Sequence, residues 1–186
     1  MFPNALIYCF EPSRTAYRRL LENLSLNDCR NVHSFNCAVA ANSGFLDFYE
    51  PEGHLTNGSL DESFARIFSD SVQSAKVAAL GGAEVSELIP GGKRVLLKID
   101  VEGAEPIVLQ SLSPFIARER PDIVMEVLPA TVEALNRIDT LRTYSLYQLE
   151  SEGPLRRDFF VAGENRDYAL TQCVGDSGDF RVPCRS

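Results

Sequence analysis

The segment Arg94-Val95-Leu96-Leu97-Lys98-Ile99-Asp100, continuing into Val101-Glu102-Gly103-Ala104-Glu105-Pro106, carries the strongest strand signal in the chain and ends in a group of acids. Pro106 suits the first turn of a following helix, where its missing N–H leaves no bond unmade. Val108, Leu109, Leu112, Phe115 and Ile116 give that helix an apolar face, with Pro114 bending or restarting it. Pro121-Asp122 then opens a second buried strand, Ile123-Val124-Met125-Glu126-Val127.

The same alternation runs in both directions from this unit. Upstream, residues 5–10 form a continuous apolar run, the pattern of a parallel strand covered on both faces. Glu11-Pro12 ends it, and from Ser13 the period changes. Tyr17, Leu20, Leu21 and Leu24 make a helical stripe that closes at Asn27-Asp28. Strands are expected at residues 32–40 and 45–49, a polar loop at 51–62, and a short helix with a strand near residues 76–80 within 63–82. Gly81-Gly82 and Gly91-Gly92 read as short turns. Downstream, residues 131–141 have helical period, and residues 144–149 and 167–173 read as a closing antiparallel pair around the loop 150–166. Strands alternating with helices imply an α/β fold, a mostly parallel sheet with helices on both faces. Its 186 residues are read as a single domain, 1–186, long enough to bury roughly 70% of its unfolded surface.

Composition removes several functions. A net charge of -8 argues against a nucleic-acid binder, and the dense basic pairs Arg18-Arg19 and Arg156-Arg157 read as solvated faces. Five cysteines, odd in number and without a CxxC pair, make neither a disulfide framework nor, with two distant histidines, a zinc pattern. No signal peptide is legible, and no apolar run approaches the roughly 20 residues that span a bilayer, so a reducing, cytoplasmic compartment is expected.

In open α/β sheets ligands bind beyond the carboxyl ends of the strands, which selects the polar residues that matter. Glu11 ends the first strand, where a carboxylate can accept hydrogen bonds from both hydroxyls of a ribose; the plainer reading is a helix-start acid favoured by the dipole. Asp100, Glu102 and Glu105 crowd the next strand end. They are candidates for a general base, partners of a cationic cofactor, or ligands of a hard divalent cation. For Glu105 an ordinary first-turn helix acid is the better reading, and for Asp100 a functional one. Glu126 lies in an apolar run, where an acid must face a cleft or find a partner.

Taken in order, Cys9-Phe10-Glu11-Pro12, Leu21-Glu22-Asn23-Leu24, the string from Leu97 to Glu105, and Pro121-Asp122-Ile123-Val124-Met125-Glu126-Val127 resemble the FkbM-type methyltransferases over about residues 5 to 150. That resemblance implies a Rossmann-like class I fold and S-adenosylmethionine as cofactor. It also implies methyl transfer to a hydroxyl oxygen of a sugar, lipid or secondary-metabolite acceptor. It implies that Glu11 binds the ribose, that Asn36, Cys37 and Ala38 lie against the adenine, and that Gly58, Ser59 and Leu60 sit near the acceptor. Asp100 and Glu102 would be the acids beside the methyl donor and Glu126 the acid on the next strand, with Asp100 the first choice of base and Glu102 or Glu126 the second. No metal ligand is assigned.

The family's first strand and its glycine-rich loop have no counterpart here, since only four residues precede Ala5. An N-terminally incomplete chain is therefore expected, with exposed strand edges that invite association. Two other readings stay open: a nucleotide-dependent oxidoreductase, and an inactive or truncated methyltransferase-fold domain that acts as a binding or scaffold module.

Overall fold

The structure is a computed structural model describing residues 5–54 and 56–172. It divides into two compact units, Met1–Ile89 and Pro90–Ser186.

In the first unit, β1 (Ile7–Phe10) runs parallel to β2 (Val32–Phe35), with Ile7 opposite Val32 and Phe10 opposite Phe35. Helix α1 (Arg14–Leu26) connects them. Ser13 caps it by accepting the Ala16 N–H, satisfying one of the donors a helix start leaves over. Asn27 closes it, and Asp28 turns the chain at φ 51°.

The strand expected over residues 32–40 is two strands in two sheets. After β2 the chain breaks at Asn36-Cys37 and resumes as β3 (Ala38–Val39), which pairs in parallel with β5 (Val72–Leu80). The break has a tertiary cause: Asn36 turns its side-chain amide onto the carbonyls of Glu11 and Pro12. On its other edge β5 takes β4 (Gly44–Pro51) antiparallel, from Gly44 opposite Ala79 to Pro51 opposite Val72. Ala38, Ala40, Phe48, Val77 and Ala79 form the core of this sheet, with Leu46 and Leu60 packed against it. Helix α2 (Glu62–Ala65), capped by Asp61, stands where a short helix is expected. Helix α3 (Gly82–Leu88) is a correction, because Gly82 opens a helix where sequence reading places a turn. Seven residues whose one fully buried side chain is Val85 leave too little periodicity to register.

In the second unit the sheet order is β6-β7-β10-β8-β9. Strand β6 (Leu96–Ile99) runs parallel to β7 (Asp122–Glu126), joined through α4 (Glu105–Ser111) and α5 (Ser113–Glu119). Pro114 restarts the helix, as one of the two expected outcomes. The closing strands are β8 (Ser145–Glu150) and β10 (Asp167–Thr171), antiparallel as expected, with β10 inserted beside β7. Cys173, at the end of the expected strand, lies outside the described residues. Inside the expected loop, β9 (Gly153–Arg157) pairs with β8 at the sheet edge, where Pro154 is tolerated. The helix expected over 131–141 is shorter: α6 (Val132–Leu135) ends and a 3₁₀ turn, Asp139–Thr143, follows. Asn136 gives the reason, since its side chain donates to the Phe160 carbonyl and accepts the Phe160 N–H. A tertiary bond replaces continued helix.

Among the described residues β1 pairs only with β2, and β6 only with β7. Leu6, Ile7 and Leu96 are correspondingly exposed, at 59%, 45% and 66%. The core of the second unit holds Leu109, Phe115, Ile116, Ile123, Met125, Leu135 and Tyr168. Ile123, fully buried on β7 between β6 and β10, tests it. Ile123→Ala is expected to cost about 3 kcal/mol through lost burial and the cavity left behind, read as a lower urea midpoint.

Candidate functional site

Two groups of polar side chains stand at strand ends, one in each unit.

In the second unit Asp100 follows the last residue of β6 and Glu126 ends β7. The parallel register, Ile99 opposite Met125, puts these two acids at the same level. Glu102 joins them because the chain turns back on itself. Glu102 has φ 50° and Gly103 φ 97°, two successive residues in the left-handed region, which glycine accepts readily and glutamate does not. One carboxylate oxygen from each of Asp100, Glu102 and Glu126 lies within 4.8 Å of the others.

Two cations flank the group. Lys98, two residues before Asp100, places Nζ 2.6 Å from its Oδ2, and Arg166 stands 3.7 Å from Glu126 Oε1. Glu102 bears the crowding. Its pKa is pushed up to about 7, first by burial and then by the negative charges of Glu126, Asp100 and Glu105, with Arg166 opposing. Glu105 occupies the first turn of α4 as expected, yet it is not an ordinary surface acid: it is only 1% exposed. Its Oε1 accepts the Gly103 N–H at 3.0 Å while Oε2 has no hydrogen-bond partner. Burial raises its pKa, against the Gly103 N–H that lowers it. Through Glu102 the cluster can exchange a proton near neutral pH, and its charge can attract a cation, whether organic or a hard divalent ion held by Asp100, Glu102 and Glu126.

In the first unit Glu11 follows β1. Its Oε1 accepts the Ser13 N–H at 2.7 Å, while Asn36 donates to the backbone carbonyls of Glu11 and Pro12 at 2.8 and 3.2 Å. Burial raises the Glu11 pKa; the Ser13 N–H opposes this and the Glu50 charge adds to it. Asn36 is exposed, whereas Cys37 and Ala38 are buried, and burial raises the Cys37 thiol. The Gly58–Ser59–Leu60 segment lies along β4. Tyr49 and Ser59 exchange backbone hydrogen bonds at 2.9 and 3.0 Å, and a Cβ on Gly58 would stand 2.6 Å from the Phe48 ring. Only glycine lets the loop approach so closely.

Residues 2–149 match the family described as the methyltransferase FkbM domain. The chain belongs to that family. This FkbM-family chain is 30% identical over 157 residues to Methyltransferase sdnD of Sordaria araneosa, covering 71% of this chain and 59% of that protein. It is 27% identical over 182 residues to Methyltransferase 1 of Beauveria bassiana, covering 90% of this chain and 68% of that one. Its fold is similar to the crystal structure of Methyltransferase FkbM from Methylobacillus flagellatus, with a TM-score of 0.55 and 12% identity over 89% of this chain. That likeness establishes the α/β, Rossmann-like class I fold. The chain spans 59% of the length of the first relative and 36% of the solved chain. Among the described residues no helix is long and apolar enough to cross a membrane.

Of the residues singled out from sequence in this FkbM-family chain, the structure brings together Asp100, Glu102 and Glu126 in one unit, and Glu11 and Asn36 in the other. Sequence reading missed Glu50, whose Oε1 accepts the Ser13 hydroxyl at 2.5 Å. Only Ser13, directly ahead of a helical stripe, left a local signal.

The Glu102 shift has a stability consequence. Its carboxyl holds a proton more tightly folded, at about 7, than at its ordinary value of 4.5. The resulting stabilisation is complete below the ordinary value and is lost as pH rises through about 7. Glu102→Gln is therefore expected to lose less stability than the unsubstituted chain between about pH 5 and about pH 8, measured by urea unfolding at both.

Proposed function

We propose that this FkbM-family chain serves S-adenosylmethionine-dependent transfer of a methyl group to a hydroxyl oxygen of a sugar, lipid or secondary-metabolite acceptor. The observation that carries the reading is the Glu102 carboxyl, set among Asp100 and Glu126 and poised near neutral pH.

The residues present fit the cofactor on chemical grounds. Glu11 is a half-buried acceptor with one oxygen already engaged by Ser13, leaving the other for hydroxyl donors such as those of a ribose. Asn36 is the exposed member of the segment expected against the adenine, and Cys37 and Ala38 support it from the core. The acids at the ends of β6 and β7 suit a positively charged group. When bound, the cofactor supplies a methyl group already activated by the positive charge of its sulfonium.

What remains for the protein is orientation, exclusion of water and removal of the acceptor's proton. Asp100 is the first choice of base from sequence, but its ion pair with Lys98 favours a positioning role. Glu126 is similarly flanked by Arg166. Glu102 becomes the preferred base, because a base works best when its pKa lies near the working pH. We assign the reaction to the cytoplasm, since Cys9, Cys29 and Cys37 are free thiols. A second reading, a scaffold or binding module that associates through strand edges, draws on the exposed Leu6, Ile7 and Leu96.

Calorimetric titration of the chain with S-adenosylmethionine separates the two. One-to-one binding is expected, weakened about 30-fold in Glu11→Gln by loss of charge-assisted bonds; a folded chain without affinity would leave the scaffold reading. With an acceptor in hand, kcat is expected to rise with pH through about 7. Glu102→Gln should lower kcat at least about 100-fold, and Asp100→Asn should lower turnover far more than stability. Full activity in Glu102→Gln would remove it from the chemistry.

A further inference from the structure

Ser13 is 3% exposed, its carbonyl accepts the Tyr17 N–H of the first helical turn at 2.8 Å, and three further hydrogen bonds converge on it. Its N–H donates to Glu11 Oε1 at 2.7 Å, its hydroxyl donates to Glu50 Oε1 at 2.5 Å, and its oxygen accepts the Ala16 N–H at 3.2 Å. Glu50 stands on β4, opposite Gln73 of β5. Its Cγ lies 3.6 Å from where a Cβ on Gly58 would be, and the neighbouring Tyr49 holds Ser59. A single buried serine thus ties the acid at the end of β1 to the strand that carries the Gly58–Ser59–Leu60 segment.

Two carboxylates converge on that serine although their charges repel. A serine hydroxyl has one proton to donate, and it goes to Glu50; Glu11 is left to the backbone N–H. Among the described residues that division holds Glu11 by its Oε1. Among the described residues the titratable groups facing Glu11 are Cys9 on β1 itself and Glu50 on β4.

We propose that Glu50, acting through Ser13, is a positioning residue that sets the Glu11 carboxylate for the vicinal hydroxyls of a nucleoside. The proposal rests on the reading of Glu11 as the ribose-binding acid. Two effects of Glu50 can be separated. The bond to Ser13 orients the site, and a glutamine would keep it. The charge works against ionisation of Glu11, and a glutamine would remove it.

The test is calorimetric titration of the full chain and its variants with S-adenosylhomocysteine, repeated over a pH series that brackets the acid limb of binding. Glu50→Ala is expected to weaken binding about tenfold, and Glu50→Gln about two- to threefold, since glutamine still accepts the serine hydroxyl. The acid limb of binding in Glu50→Gln should move to lower pH, because one charge that disfavours the Glu11 anion has gone. A merely structural role would not move that limb. Thermal melts confirm folding, and Ser13→Ala, which leaves the Glu11 bond to the backbone intact, should lose affinity as Glu50→Ala does. Unchanged affinity in Glu50→Ala, or an unmoved limb in Glu50→Gln, overturns the proposal. If Glu11→Gln itself binds like the unsubstituted chain, or that chain does not bind, the ribose reading falls first.

Discussion

Carboxylates brought within a few ångströms repel one another, and the strand ends of β6 and β7 are built around that constraint. Asp100, Glu102 and Glu126 approach within 4.8 Å, and the fold answers each differently. Asp100 receives Lys98 and Glu126 receives Arg166. Glu102, held at positive φ, retains its proton to about 7, first because it is buried and then because of the neighbouring negative charges. The exposed pair Lys98–Asp100 contributes little to stability, since solvent screens it. Its effect is on orientation and local charge. Backbone strain, a crowded anion and partial burial at one turn are features that a fold maintains only where the surroundings over-determine them.

The Glu11 site answers the same constraint with neutral donors. Ser13 satisfies both Glu11 and Glu50 through its N–H and hydroxyl while capping α1. The helix start, the end of β1 and the end of β4 therefore meet at a single residue, which reaches β1 through its backbone N–H and the other two through its hydroxyl. Such a shared residue couples the geometry of three elements.

Much of the fold was legible because the signals were local. The stripe Tyr17, Leu20, Leu21 and Leu24 with Ser13 ahead of it marked α1, and Pro114 marked the restart between α4 and α5. Misreadings occurred where a distant partner intervened. Asn36 split the strand expected over 32–40 by bonding to Glu11 and Pro12, and Asn136 ended α6 by bonding to Phe160. Strand β9 was hidden because Pro154 and the arginines beside it lack the composition of a strand, and edge position removes the need for it. Of the candidate site, the acids at Glu11, Asp100 and Glu102 could be named in advance from their position after apolar runs, and Glu126 from its position inside one. Glu105 reads from sequence as an ordinary first-turn acid, because its burial depends on how α4 packs and not on its place in the chain.

By itself the sequence determined the α/β class, the order of the main strands and helices, and that Glu11 and Asp100 follow strands, because hydrophobic period and turn chemistry act over a few residues. Tertiary structure alone decided which acids meet, which carry counter-charges and which keep a proton. Those outcomes depend on distances between residues far apart in the chain: Glu126 lies beside Glu102 because β6 and β7 pair in register, and Glu50 reaches Ser13 from 37 residues away. Charge interactions fall off with distance in space and take no account of separation along the chain, so no local pattern records them.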